Sequence, residues 1–259
     1  MEEQTDNRVE EGYRAVLKLC GVTRAEAEKK AASLCGGDNP ELKVEGEDGD
    51  VLLKLSSEPT GELSAKKVMK PVLKELKGAF GEKIYSMDEG ESLESVVVQL
   101  LKANALSIAT AESCTGGLFT ARLVNVPGVS EVLKEGFITY SNKAKRKYLG
   151  VKKGTLLKYS AVSEAAAKEM AKGVCAETKS DCGVAITGLA GPEGEGFRNP
   201  VGTVFIGCCV SGNTVVKEYH FDAPRQEVRR RATTEALSLL RHCLLKYFSE
   251  VNFGEETDK

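Results

Sequence analysis

Ser113 stands in the segment Ala109-Thr-Ala-Glu-Ser-Cys-Thr-Gly-Gly117, a hydroxyl nucleophile candidate between an apolar run and a glycine-opened helical pattern. Leu106 to Thr110 reads as a short buried strand, and Leu118-Phe-Thr-Ala-Arg-Leu-Val carries apolar residues at helical spacing, so Ser113 is predicted on the turn between them. A helix start there offers unpaired N–H groups and the positive end of a dipole, suited to an oxyanion or a phosphate. The same residues also suit a plain turn in which Ser113 or Thr115 caps the helix and the glycines allow close packing. Glu-Ser-Cys-Thr-Gly-Gly nevertheless holds more polar residues than one cap requires, which favours chemistry.

A serine hydroxyl needs a positioned base. The chain has only 2 histidines, His220 at a strand end and His242 in the last helix, both in structural contexts, so a Ser-His-Asp triad is disfavoured. Lysine remains, and Tyr140-Ser-Asn-Lys-Ala-Lys145 supplies it after a run that can lie beside the nucleophile's strand. An unperturbed amine with a pKa of about 10.4 is less than roughly 0.1% neutral at pH 7, so burial or nearby positive charge must lower it. Three units of lowering correspond to about 4 kcal/mol, within reach of a dry pocket. Lys143, Arg146 and Lys147 crowd the same stretch; they either contribute to that lowering or form a solvated helix face.

Thr187-Gly-Leu-Ala-Gly-Pro-Glu-Gly194 follows another predicted strand and should open at the same sheet edge as Ser113 if the two strands run parallel. Its backbone can approach a phosphate or an amide oxygen, yet it is neither a Rossmann fingerprint nor a Walker loop. Arg225, after Asp222-Ala-Pro, sits where a guanidinium can reach phosphate or carboxylate. Arg229-Arg-Arg231 is assigned to solvent or to intersubunit pairs, because three consecutive side chains cannot all face one pocket. Cys114 is a rival thiolate nucleophile by position but has no accompanying histidine. No His/Cys/Asp/Glu cluster has metal-ligand spacing, so neither a metal nor a cofactor is expected.

Taken together with Gly-Phe-Ile-Thr-Tyr-Ser-Asn at 136 to 142, Ala-Val-Ser-Glu at 161 to 164, Ile-Thr-Gly-Leu-Ala-Gly-Pro at 186 to 192, Pro-Val-Gly-Thr-Val at 200 to 204 and Arg229-Arg-Arg-Ala-Thr, the serine motif resembles the signature of the CinA C-terminal family over about 150 residues. That family's members are nicotinamide mononucleotide (NMN) deamidases or their relatives. The resemblance implies a Ser/Lys hydrolase with Ser113 as nucleophile, Lys145 as base and Tyr140 assisting. It implies substrate contacts at Cys114, Thr115, Gly116, Gly117, Asn142, Gly188, Ala190, Gly191 and Arg225, with the amides near Thr115 to Gly117 stabilising the oxyanion. The expected partner is a small nucleotide, NMN, and a homo-oligomer of two or more copies is expected. A noncatalytic nucleotide-sensing protein of the same family is the competing reading.

The elements that must position these groups come from 259 residues, 41% hydrophobic and 29% charged, enough for one large domain and a smaller one. A net charge of −2 gives no global attraction to nucleic acid or to an anionic membrane, and neither is expected as a partner. The 8 cysteines include no Cys-x-x-Cys pair and read as reduced core residues. No leader-like or membrane-spanning run is found, so a cytoplasmic location is expected.

Residues 1–90 read as a small α+β domain: two helical patterns, two strands joined by Gly-Glu-Asp-Gly-Asp, another helix, and the strand-like Lys83-Ile-Tyr-Ser. Thr23 and Glu26 make a capping box for a helix near residue 24. This part resembles the KH-like middle domain of full-length CinA proteins, whose MoaB-like first domain has no counterpart in these residues. Gly46-Glu-Asp-Gly49 imitates a KH phosphate clamp, but its central carboxylates would repel phosphate and its setting is a hairpin. Residues 91–250 are predicted to form a three-layer α/β/α sandwich with a mixed five-stranded sheet, an α/β fold. Its strands are expected at 106–110, 136–141, 183–187, 202–210 and 214–221, and its helices after Ser92 and near 115–125, 163–178 and 225–248. Gly212-Asn213 marks a hairpin between the last two strands. Residues 251–259 read as a polar tail.

Overall fold

The structure, a computed structural model, describes residues 12–194 and 198–256, the last six of them by backbone alone. Two compact units divide between Glu91 and Ser92.

In the first unit β1 (Tyr13–Cys20), α1 (Arg24–Leu34), β2 (Glu41–Glu47), β3 (Asp50–Ser57), α2 (Ala65–Phe80) and β4 (Ile84–Ser86) follow one another. The strands pair antiparallel in the order β2-β3-β1-β4. The first of the two expected helical patterns is therefore a strand, β1. Its short apolar run, with Leu17, Leu19 and Cys20 buried, fits either period, and pairing with β3 on one side and β4 on the other decides for the strand. Leu17 and Leu19 pack with Val51, Leu53 and Leu55 of β3 against Ala27 and Ala31 of α1 and Met69, Leu76 and Phe80 of α2. The capping box forms as expected: the Glu26 N–H donates to Thr23 Oγ1 at 3.2 Å and the Thr23 N–H to Glu26 Oε2 at 2.9 Å. Gly46 and Gly49 lie in the β2–β3 hairpin, where Glu47 faces Asp50.

The second unit runs α3 (Leu93–Ala103), β5 (Ile108–Glu112), α4 (Leu118–Val124), β6 (Leu133–Ile138), α5 (Asn142–Leu149), α6 (Lys153–Tyr159), α7 (Glu164–Thr178), β7 (Cys182–Gly188), β8 (Thr203–Val210), β9 (Asn213–His220) and α8 (Arg225–Glu256). The sheet order is β6-β5-β7-β8-β9, with β5 parallel to both β6 and β7 and the last two strands antiparallel, so the sheet is mixed. All five expected strands are present, with ends moved by no more than three residues. The final hairpin turns on Ser211 and Gly212, both at positive φ, between the paired Val210 and Asn213.

Helices cover both faces: α7 with α5 and α6 on one, α8 with α3 and α4 on the other. Ala109 and Ala111 of β5 and Ala185 of β7 pack under Ala166, Met170, Ala171 and Val174 of α7. Small residues let that helix sit close to the sheet, and a Cβ at Gly207 of β8 would lie 2.6 Å from the Ala167 carbonyl oxygen. Three expectations need correction. The 115–117 stretch is a turn preceding α4, α5 and α6 were not foreseen, and α8 carries the helical backbone through residue 256, so 251–256 are not a polar tail. Residues 257–259 of that tail lie outside the described residues.

Candidate functional site

Because β5, β6 and β7 run parallel, the turns that follow their carboxyl ends gather at one edge of the sheet. Ser113 follows β5, its N–H donating to Ile186 O of β7 at 2.9 Å. Tyr140 and Ser141 follow β6, and Ser141 Oγ accepts the Ala144 N–H at 3.1 Å to start α5. One turn into α5, Lys145 shares an inward face with Leu149 four residues on, both of them buried.

Lys145 is 1% exposed, and its Nζ lies 2.8 Å from Ser113 Oγ. The amine also donates to Thr139 O at 2.8 Å and, more weakly, to Tyr140 O at 3.4 Å. Burial pulls its pKa down from 10.5 to about 8, because the charged form loses its hydration. Roughly a tenth of it is then neutral at pH 7, a hundredfold or more above an exposed lysine. Lys143, Arg146 and Lys147 are exposed and form the solvated face of α5, so desolvation and not cationic crowding does the lowering.

A cavity of about 600 Å³ opens over this pair, within the range of small-molecule sites. Of the residues expected from sequence, Ser113, Cys114, Tyr140, Asn142, Lys145, Gly188, Ala190, Gly191 and Arg225 line it. Thr115, Gly116 and Gly117 do not. The Tyr140 side chain is 63% exposed, with its hydroxyl 3.4 Å from Arg225 Nη2, so this residue reaches the serine–lysine pair through its carbonyl. Arg225 also donates to Gly191 O at 2.7 Å, which fixes its guanidinium beside the glycine loop. Arg198, not singled out from sequence, lines the cavity and donates to Lys158 O. Neither histidine lines it.

Of the donors expected at the start of α4, those of Gly116 and Gly117 are already engaged. Glu112, 1% exposed at the end of β5, accepts the N–H groups of Gly117, Phe119 and Thr120 at 2.9, 3.1 and 2.8 Å and the Thr120 hydroxyl at 2.6 Å. That carboxylate closes the helix start to an oxyanion. The Gly116 N–H is spent on Ser113 O at 3.1 Å. Among the described residues the Cys114 N–H, beside the nucleophile candidate, meets no oxygen acceptor and lies only near its own thiol. Replacing Glu112 with Ala leaves three amides unpaired in a largely buried site, while the Thr120 hydroxyl keeps Thr110 Oγ1 at 2.7 Å, so a stability loss of about 2–4 kcal/mol is expected, read as a shift in urea midpoint at unchanged slope.

Arg229 corrects the assignment of the arginine cluster to solvent. It turns inward, its Nε donating to Cys114 O at 3.0 Å and its Nη2 to Thr115 O at 2.9 Å. Arg230 and Arg231 instead pair with Glu227 of the same helix and hold its carboxyl well below the usual range. Cys114 is buried, which pushes its thiol up to about 12 and keeps it neutral, so it is not a thiolate nucleophile. All eight cysteines are free thiols. Among the described residues no group of three His, Cys, Asp or Glu is placed to hold a metal ion, and no helix is long and apolar enough to cross a membrane.

Comparison with known proteins agrees with this architecture. A CinA-like protein of Kosmotoga olearia is 43% identical over 234 residues, which is 90% of this chain and 57% of that protein, so the chain spans little more than half of that relative. The crystal structure of a CinA superfamily protein from Klebsiella pneumoniae superposes with a TM-score of 0.58 at 34% identity, covering 60% of this chain and 96% of that one. A competence/damage inducible protein, CihA, from Agrobacterium tumefaciens gives 0.55 at 35% identity, covering 61% and 99%. Residues 90–244 match the model of the CinA C-terminal domain, more than half of the chain, and the chain therefore belongs to the CinA family.

Proposed function

We propose that the second unit hydrolyses the carboxamide of NMN to nicotinic acid mononucleotide and ammonia, with Ser113 as nucleophile and Lys145 as base. The observation that carries this reading is the buried amine, held near neutrality, 2.8 Å from an otherwise unactivated hydroxyl. Neutral Lys145 takes the Ser113 proton as Oγ adds to the carboxamide carbon. The resulting ammonium returns that proton to the departing nitrogen, the C–N bond breaks, and ammonia leaves an ester on Ser113. Water, giving its proton to Lys145, then attacks the ester, and Ser113 Oγ departs with that proton. The cationic pyridinium of NMN withdraws electrons from its carbonyl and eases the first addition.

The two guanidinium groups of the cavity suit the 5′-phosphate, Arg225 beside Gly191 and Arg198 beside Lys158. For Arg225→Met the KM for NMN is expected to rise about tenfold or more while kcat changes less, since an ion pair to a remote phosphate contributes to ground and transition states alike. Steady-state kinetics on NMN and on nicotinamide riboside check this. An unchanged KM places the phosphate elsewhere.

The reading is tested by incubating the chain separately with NMN, NAD and nicotinamide and measuring ammonia. Release from NMN alone is the expected result. A folded chain that leaves all three intact overturns the reading.

A further inference from the structure

We propose that Arg229 is a positioning residue, which aims the Cys114 N–H at the carbonyl oxygen of a substrate under attack by Ser113. The inference rests on Ser113 being the nucleophile, and it adds a group that touches no substrate. It follows from the planarity of the peptide unit. Among the described residues the peptide bonds of this turn are trans, so the N–H and C=O of each unit point in opposite directions.

Arg229 Nη2 holds the Thr115 carbonyl at 2.9 Å, which turns the Gly116 N–H of the same unit away from α8. That N–H donates to Ser113 O at 3.1 Å. The Ser113 carbonyl, so held, belongs to the same unit as the Cys114 N–H and directs it the opposite way. Two rigid planes joined by one hydrogen bond thus connect a guanidinium on α8 to the donor next to the nucleophile. Arg229 Nε on Cys114 O, at 3.0 Å, pins the following plane as well. Such a chain, begun by a cation, also polarises each donor along it.

The other amides of the turn are accounted for. Ser113 N–H is spent on Ile186 O, and the start of α4 is spent on Glu112. The Thr115 N–H faces the Cys114 thiol, and Thr115 is fully enclosed, while Cys114 lines the cavity. The Cys114 N–H is therefore the donor left for an oxygen that gains charge in the transition state.

Three variants, Arg229→Met, Arg229→Lys and Arg230→Met, test the assignment by two readouts. One is kcat and KM on NMN; the other is the rate at which a fluorophosphonate labels Ser113, which needs no NMN. Arg229→Met is expected to lower kcat by about 10- to 100-fold with KM within threefold, and to slow labelling by a similar factor. Arg229→Lys, with one donor, should recover part of both, and Arg230→Met should match the wild type. Wild-type kcat and labelling in Arg229→Met overturn the proposal, as does equal impairment of Arg230→Met, or a loss in step with a lowered melting temperature. If the wild type is labelled at Ser113 but spares NMN, the substrate assignment fails while the labelling rates still decide the role of Arg229. If Ser113 is not labelled at all, the proposal falls together with the nucleophile.

Discussion

Ser113→Ala is expected to reduce ammonia release from NMN by about 10⁴-fold or more while the chain melts within a few degrees of the wild type. The Ser113 hydroxyl is the group that Lys145 Nζ meets at 2.8 Å, and removing it leaves the amine, among the described residues, no hydroxyl within hydrogen-bond reach. Cys114 offers no substitute, because its thiol is buried and pushed up to about 12, far from the thiolate it would need to be. The backbone held by the Ser113 N–H on Ile186 O does not depend on the side chain, and Lys145 keeps its bond to Thr139 O. Loss of rate without loss of fold is thus the signature to look for, by ammonia assay and calorimetry on the same preparation. Undiminished turnover would move the nucleophile away from this turn.

The second large effect is expected at Lys145. Replacement by Met should lower kcat/KM by about 10³-fold or more, and Arg should not rescue it, since a guanidinium stays protonated throughout the accessible range. In the wild type, kcat/KM should rise with pH through a midpoint near about 8, because the base works only when neutral and burial has brought its pKa down from 10.5. The same burial has a sign for stability. Between about pH 8 and 10.5 the unfolded chain holds the Lys145 proton more tightly than the folded one, so stability from this residue rises with pH across that window. The difference in unfolding free energy between wild type and Lys145→Met should therefore grow by about 3 kcal/mol from below pH 8 to above 10.5, measured by urea titration at each pH. A flat difference would mean the amine is not desolvated.

The sequence carried most of the second unit because its signals were redundant. Buried β5 and β7 stand as apolar runs bounded by glycine and polar turns, and parallel pairing of β5 with its neighbours follows once helices intervene between them. What escaped was set by side-chain direction. Three consecutive arginines on a helix point about 100° apart, so the argument that all three cannot enter one site still leaves one free to do so, and Arg229 does. Lys145 is named as the base through the family resemblance, whereas spacing alone does not separate it from Lys143 or Lys147; Leu149, four residues on, is the sign that this lysine faces inward. Glu112 shows the opposite case. Its carboxylate occupies the helix start beside the glycines, reaching amides five to eight residues further along the chain, a contact set by the turn's geometry and not by residue type or spacing. In the first unit the apolar run of β1 fits two periods, and only its partners on both sides settle it as a strand.

The central claim is that an uncharged, buried amine makes the Ser113 hydroxyl reactive. The most direct measurement is the rate of fluorophosphonate labelling of Ser113 as a function of pH, in the wild type and in Lys145→Met. The expected result is a rate that climbs through a midpoint near about 8 in the wild type and is slow and level in the variant over the same range. A wild-type rate indifferent to pH, or the same midpoint in Lys145→Met, would contradict it.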